Sequence, residues 1–310
     1  MVDVSIVIVS WNVADLLAEC LDSVRASSLA DTVTVEIIVV DSASHDNTVS
    51  MLHEQYPQVQ VLAQSENVGF TRGNNIGFAE AQGRYIFMLN PDTVIHGGAI
   101  GAMVRYLDAH PQVGIVGPHT LNSDGTYQSS RRRFPTRPLA FFESTWLQSI
   151  APRAMLDRFY VKDAPPTTTL DVDWVQGSAL MIRHEIYQQI GGLDAGYVMY
   201  FEELDWCKRA KDAGWRVVYL GDVQITHHGG KSSEQVQAFK HIHYQQSKLR
   251  YYRKHHGAGF AYVLQAFLLV QYAWQLLLEG AKGLIGSKRQ LRRARVQTYW
   301  QVLRSGLKVT

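Results

Sequence analysis

The sequence predicts an α/β protein: a mostly parallel sheet flanked by helices, with an amphipathic helical extension at its C-terminal end. Three observations carry this. Apolar patterns run strand, helix, strand, helix, strand, helix, strand through the first ninety residues, the order that builds parallel sheets with helices on both faces. Polar residues collect where those strands stop, at Asn12, Asp41, Asp46, Asn67 and Asp92; in a parallel sheet these ends share one edge, where open α/β sheets bind ligands. Residues 258–278 carry no charge between strongly basic flanks.

The elements follow in order. Val4 to Val9 is a β-branched run, read as a buried parallel strand and ended by Ser10-Trp11-Asn12. Leu16, Leu17, Cys20, Leu21 and Val24 keep helical spacing. Val35 to Val40 is a second strand, and Asp46 or Asn47 is placed to cap the helix that runs to about Tyr56. Val59 to Ala63 is a third strand. Asn67-Val68-Gly69-Phe70 opens a loop feeding a helix to Ala81. Tyr85 to Leu89 is the pivotal strand, stopped by Asn90-Pro91-Asp92. Proline cannot donate to a sheet ladder, so Pro91 turns the chain out and leaves Asp92 at the ligand edge. A carboxylate there suits a hard divalent cation, which in turn suits a diphosphate; a plain surface turn uses the same residue types.

Gly97 to His110 reads as a helix and Val113 to Val116 as a strand. Residues 121–170 read as an irregular, mobile segment over the site, its Arg131-Arg132-Arg133 run either meeting phosphate or forming a solvated charge cluster. A strand resumes over Asp173 to Ile182, with Gly177-Ser178 marking close approach of a ligand or another backbone. A helix follows to Ile190. Glu202, Glu203 and Asp205 then cluster at the start of a helix ending at Gly214. Capping accounts for acids there, but three in four residues exceed what capping needs, and one of them held near the others suits a general base. Trp215 to Leu220 is the last strand, followed by Ile225 to Gly230 with His227 and His228, either a metal ligand or hydrogen-bonded loop residues.

The chain has 310 residues, 46% hydrophobic and 19% charged, enough for one large α/β domain with additions. A net charge of +2 excludes a whole-molecule electrostatic nucleic-acid binder. Two cysteines, Cys20 and Cys207, give neither a disulfide framework nor zinc spacing, and Met1-Val2-Asp3 leads straight into a strand. The expected location is therefore cytoplasmic. No Gly-x-Gly-x-x-Gly follows the first strand and no Walker-type loop appears. Gln265, Gln271, Gln275 and Glu279 fall on one side of the uncharged stretch. Basic residues flank both ends: Lys248, Arg250, Arg253 and Lys254 before, Lys282, Lys288, Arg289, Arg292, Arg293 and Arg295 after. A spanning helix prefers its positive charge on one side. The stretch therefore reads as a helix lying on an anionic membrane face rather than a span, with a helical hairpin packed on the main domain as the other reading.

Together these pieces resemble the family-two inverting glycosyltransferases of GT-A (Rossmann-like) fold, in their bacterial rhamnosyltransferase-like branch, over about residues 3–257. The motifs are Val4–Val9 with Trp11-Asn12, Val40-Asp41-Ser42 through Asp46-Asn47-Thr48, Asn67-Val68-Gly69-Phe70, Leu89-Asn90-Pro91-Asp92-Thr93, and Gly191-Gly192-Leu193-Asp194 leading to Phe201-Glu202-Glu203-Leu204-Asp205. The resemblance implies a transferase domain over 1–257, and the uncharged stretch with its basic flanks makes 258–310 a membrane-seeking tail. It implies a nucleotide site from Ser10, Trp11, Asn12, Asp41, Asn67 and Asn90, with Asp41 at the base. Asp92 and His227 would hold Mg2+ or Mn2+, with His228 a rival for His227. Asn90 stands where the family's first metal-site acid often lies. Glu203 would be the catalytic base with Asp205 its rival. The implied donor is dTDP-L-rhamnose, or else a UDP-sugar (galactofuranose or N-acetylglucosamine). The implied acceptor is a glycan or polyprenyl-linked hydroxyl in cell-surface polysaccharide assembly. Two other classes compete. A nucleotidyltransferase carries a Gly-rich basic loop where Ser10-Trp11-Asn12 stands, and a non-catalytic sugar- or nucleotide-binding module has no need of the acids at 202–205. A membrane scaffold would rest on the tail alone.

Overall fold

The computed structural model describes residues 2–30, 33–229, 237–285 and 289–308; Gly230 and Lys288 lie outside them. In chain order the elements are β1 Val4–Ser10, α1 Ala14–Ala30, β2 Val35–Asp41, α2 Thr48–Gln55, β3 Gln60–Ala63, α3 Gly69–Glu80, β4 Tyr85–Leu89, β5 Thr93–Ile95, α4 Ala99–Ala109, β6 Val113–Leu121, β7 Tyr127–Gln128 and β8 Arg131–Arg132. Then come α5 Leu139–Phe142, α6 Arg153–Phe159, β9 Leu170–Val172, β10 Trp174–Val175, β11 Ala179–Arg183, α7 His184–Ile190, α8 Glu202–Asp212, β12 Arg216–His227, α9 Gln237–His256, α10 Ala258–Ile285 and α11 Arg289–Ser305.

The chain divides into two compact units, the first being Met1–Phe134, Asp157–Ala195 and Glu202–Ser232. Its main sheet runs β3-β2-β1-β4-β11-β6-β12-β5, with β7 beside β6 and β9 beside β12. The β3-β2-β1-β4 half is parallel, as the alternating β-α order requires. β11 enters antiparallel between β4 and β6, and β12 runs parallel to β6. Because side chains alternate across a strand, Ile6 and Ile8 pack with Leu17, Cys20, Leu52 and Met103 on one face, while Val7 and Ile38 pack with Phe78, Trp206 and Cys207 on the other. α3 lies close on the sheet because Gly77 has no side chain. A Cβ there would stand 2.3 Å from Val7 Cγ1.

Several elements differ from their sequence reading. β6 and β12 run longer, through Leu121 and His227, because each keeps a ladder partner past its apolar run. The expected Asp173–Ile182 strand is broken at Gln176–Ser178, its halves pairing with β8 and β4. Residues 121–170 are built from short ordered elements rather than an open loop. Arg131 is buried and donates to the carbonyls of Val161, Ala164 and Pro165, so it is a structural tie and not a phosphate contact. Asp46, rather than Asn47, caps α2: its Oδ1 accepts from the N–H of Thr48 at 3.1 Å, while Asn47 makes no side-chain cap.

The second unit comprises Pro135–Leu156, Gly196–Phe201 and Ser233–Thr310. α9 packs with α10 and α11 here, so this contact boundary falls before residue 257. Lys248 is buried and donates to the carbonyl of Glu143 at 2.6 Å, which removes it from the basic surface. The glutamine side of α10 is covered in part. Gln271 is buried, and Gln265 Nε2 donates to the carbonyl of Gly306 at 2.8 Å. Over residues 258–278 the large side chains that α10 exposes are apolar: Tyr262, Val263, Val270, Trp274 and Leu277. It is long and apolar enough over Ala258–Gly283 to cross a membrane.

Candidate active site

The carboxyl ends of β1, β2 and β4 build one polar edge. Asn12 sits at φ 53°, a left-handed conformation that Asn tolerates. Its Oδ1 accepts from the N–H of His45 at 2.7 Å, while its own N–H donates to Ser44 Oγ at 2.9 Å. These bonds tie the end of β1 to the end of β2. Asp41 is buried, and its Oδ2 accepts from the N–H of Ser44 at 3.0 Å. Its Oδ1 and the hydroxyl of Ser10 have no partner among the described residues. Asn67 Oδ1 accepts from Ser42 Oγ at 3.2 Å and from the N–H of Gly69 at 2.9 Å, fixing the entry to α3. Trp11 is half-buried beside them.

Asn90 and Asp92 are held by the backbone around them. The N–H of Asn90 donates to the carbonyl of Ser178 at 2.9 Å, and Thr93 Oγ1 donates to the carbonyl of Asn90 at 2.7 Å. β5 then pairs antiparallel with the end of β12, setting His227 opposite Thr93. That register brings His227 Nε2 within 3.2 Å of Asp92 Oδ1, both side chains being 7% exposed. Asn90 Nδ2 stands 3.3 Å from the same nitrogen. Burial pushes the Asp92 carboxyl up, but its contact with His227 outweighs this and holds it below the usual carboxylate value. His228 faces elsewhere: its Nδ1 is 2.8 Å from Ser123 Oγ and its Nε2 3.6 Å from Glu19.

The Asp92–His227 pair fits a divalent cation. Two buried ligand atoms this close need a proton or a cation between them, and adjacent ligands of an octahedral ion with bonds of about 2.1 Å stand about 3 Å apart. Among the described residues no group of three or more His, Cys, Asp or Glu side chains forms such a cluster. A cation here would therefore lean on water and substrate phosphate oxygens, as Mg2+ commonly does.

At the start of α8 the acids divide by environment. Asp205 is fully buried, and Arg209 Nε donates to its Oδ2 at 2.9 Å. The same guanidinium donates to the carbonyls of Ile190 and Gly192, each at 2.6 Å. Glu203 remains partly exposed and packs against Gly177, where a Cβ would lie 3.3 Å from Glu203 Cβ. Gly177 thus marks a close approach, of a side chain rather than a backbone. Burial raises the pKa of Glu203, against the backbone N–H groups of Glu203, Gly177 and Leu204 and the charge of Arg132. Glu202 is buried more deeply and is raised well above the ordinary value by burial and then by the charge of Glu203. Glu202 Oε2 and Glu203 Oε2 have no hydrogen-bond partner among the described residues.

Sequence reasoning missed Gln128, whose Oε1 lies 2.7 Å from His227 Nδ1. The turn signal Asn122-Ser123-Asp124-Gly125 marks the hairpin that carries it. Nothing in the sequence pairs Gln128 with His227.

The family model for Glycosyl transferase family 2 matches residues 5–191, and the chain belongs to that family. Within it the chain sits in the rhamnosyltransferase-like branch. It is 28% identical to the N-acetylglucosaminyl-diphospho-decaprenol L-rhamnosyltransferase of Mycobacterium tuberculosis over 217 residues, covering 66% of this chain and 70% of the relative. It is 26% identical to the rhamnosyltransferase WbbL of Escherichia coli K12, covering 74% and 86%. The GT-A fold is shared with mannosyltransferase PcManGT from Pyrobaculum calidifontis, solved with GDP-Man and Mn2+, at a TM-score of 0.56 and 18% identity over 98% of this chain and 84% of that one.

Proposed function

We propose that this glycosyltransferase moves L-rhamnose, with inversion, from dTDP-L-rhamnose to a hydroxyl of a lipid-linked glycan in cell-surface polysaccharide assembly. The observation that carries the chemistry is the buried Asp92–His227 pair, 3.2 Å apart at the strand-end edge. The donor and acceptor rest on the similarity to the two rhamnosyltransferases. Asp92 and His227 would hold Mg2+ or Mn2+, which when bound neutralises the charge departing with the nucleoside diphosphate. Asp41, with its unpartnered Oδ1, reads the base. Ser10, Trp11 and Asn12 line the nucleoside, and Asn67 and Asn90 flank it.

Glu203 takes the proton of the acceptor hydroxyl as that oxygen attacks the anomeric carbon from the face opposite the leaving group. One displacement inverts the centre. The raised pKa of Glu203 strengthens it as a base, and the residue is only half-buried. Asp205, tied to Arg209, is the poorer candidate. Residues 1–257 are assigned to transfer and 258–310 to the membrane. The apolar outward face of α10 and the exposed arginines of α11 (Arg289, Arg293, Arg295 and Arg304) support peripheral attachment to an anionic cytoplasmic membrane surface.

The test is a panel of dTDP- and UDP-sugars, with thermal stabilisation and nucleoside diphosphate release followed with and without Mn2+ or Mg2+. A donor that binds the folded state must raise its melting midpoint. A metal-dependent shift with dTDP-L-rhamnose is expected. A shift with a UDP-sugar alone would replace the donor, and no shift with any nucleotide would overturn the site.

A further inference from the structure

His227 Nδ1 faces Gln128 Oε1 at 2.7 Å. An imidazole nitrogen beside a side-chain amide leaves two readings open, because the amide can turn over. The other contacts of Gln128 choose between them. Its Nε2 donates to Asn122 Oδ1 at 2.9 Å and to the carbonyl of His227 at 3.3 Å. Asn122 Nδ2 donates to Thr126 Oγ1 at 2.9 Å, and the Thr126 hydroxyl donates to Asp124 Oδ1 at 2.6 Å. An ionised carboxylate can only accept. The polarity of the chain is therefore set from its far end: Asp124 accepts from Thr126, Thr126 from Asn122, Asn122 from Gln128, and Gln128 from His227 Nδ1. Turning the Gln128 amide over would set its oxygen against the His227 carbonyl. It would also require Asn122 to turn and Thr126 to give up Asp124. At the other ring nitrogen, Nε2 faces the Asp92 carboxylate oxygen at 3.2 Å and Asn90 Nδ2 at 3.3 Å; without a cation Nε2 carries a proton toward Asp92, and a cation would take the place of that proton, leaving the ring's remaining proton on Nδ1 toward Gln128.

We propose that Gln128 is a positioning residue that holds His227 in the Nδ1–H tautomer and so presents the Nε2 lone pair as a metal ligand beside Asp92. The β6–β7 hairpin, with Asn122, Asp124 and Thr126, is the support that orients Gln128. This rests on the assignment of Asp92 and His227 to a cation. Partners that orient a ligating histidine raise its basicity and fix its ring, and their loss costs about 10–100-fold in metal affinity.

The test uses the full chain with Gln128→Met and His227→Ala. Mn2+ is titrated by the paramagnetic resonance signal of the free ion, with dTDP or UDP present. The His227 tautomer is read by long-range 1H–15N correlation on ring-labelled protein loaded with diamagnetic Mg2+ and dTDP. Wild type is expected to show the proton on Nδ1. Gln128→Met is expected to bind Mn2+ about 10–100-fold more weakly with an unchanged metal-free melting midpoint. Wild-type-like affinity in Gln128→Met, with affinity lost in His227→Ala, overturns the role of Gln128 and leaves the cation site standing. Wild-type-like affinity in His227→Ala overturns both. Should Gln128→Met fail to fold, the tautomer in the wild type decides: a proton on Nε2 refutes the proposal by itself.

Discussion

Replacing Val270, Trp274 and Leu277 of α10 together by Ser tests the membrane attachment. These side chains are 69%, 53% and 64% exposed, so their loss leaves the helical packing intact. Complete burial of a Val or Leu side chain is worth about 1.5–3 kcal/mol, and the exposed two-thirds of Val270 and Leu277 therefore about 1–2 kcal/mol each. Trp carries about 200 Å², half of it covered already, which leaves about 100 Å² and about 2.5 kcal/mol. An interfacial helix buries its face only in part, so about half of this sum, about 2–3 kcal/mol, is the expected gain. That amounts to about 30- to 150-fold in partition. The assay is co-sedimentation with phosphatidylglycerol–phosphatidylcholine vesicles across lipid concentrations, at low and high salt. Equal partition of wild type and triple variant, at equal melting midpoints, would refute the reasoning.

Three further outcomes follow from the packing and charge described. Gly77→Ala is expected to destabilise the chain by about 1–3 kcal/mol in denaturant titration, because its Cβ would meet Val7 Cγ1 at 2.3 Å. Unchanged stability would mean α3 has room to move. Glu202 has a folded-state pKa above its unfolded value of about 4.5, so the folded state holds the extra proton and stability falls as pH rises from there through the folded-state pKa. Glu202→Gln is therefore expected to raise the melting midpoint at neutral pH, with the gain vanishing below pH 4.5; a gain that grows on acidification contradicts the sign. Asp92→Asn is expected to weaken Mn2+ binding by at least tenfold in isothermal titration, about 1.4 kcal/mol, and wild-type affinity would remove Asp92 from the cation site.

The left half of the sheet and its polar edge were legible because each apolar run stops at a residue that cannot continue it. Pro91 ends β4, and the Ser10–Asn12 step ends β1. The antiparallel entry of β11 was not legible, since a buried strand between two others reads the same in either direction. The end of β12 is not legible because Gln224, Thr226 and His227 look like loop residues, yet their partners His119, Val94 and Thr93 continue the ladder. The polar side of α10 was read from its spacing, but spacing does not say which side the neighbours cover. Gln265 turns inward because the carbonyl of Gly306 waits for it. Glu203 was separable from Asp205 only in three dimensions, since Arg209, one turn along α8, claims Asp205.

The most direct measurement is the single-turnover release of nucleoside diphosphate by wild type and Glu203→Gln, with donor affinity measured alongside. The account predicts unchanged donor binding and a turnover lower by about 10²–10⁴-fold or more in the variant. Equal turnover in the two proteins would contradict it and remove Glu203 from the chemistry.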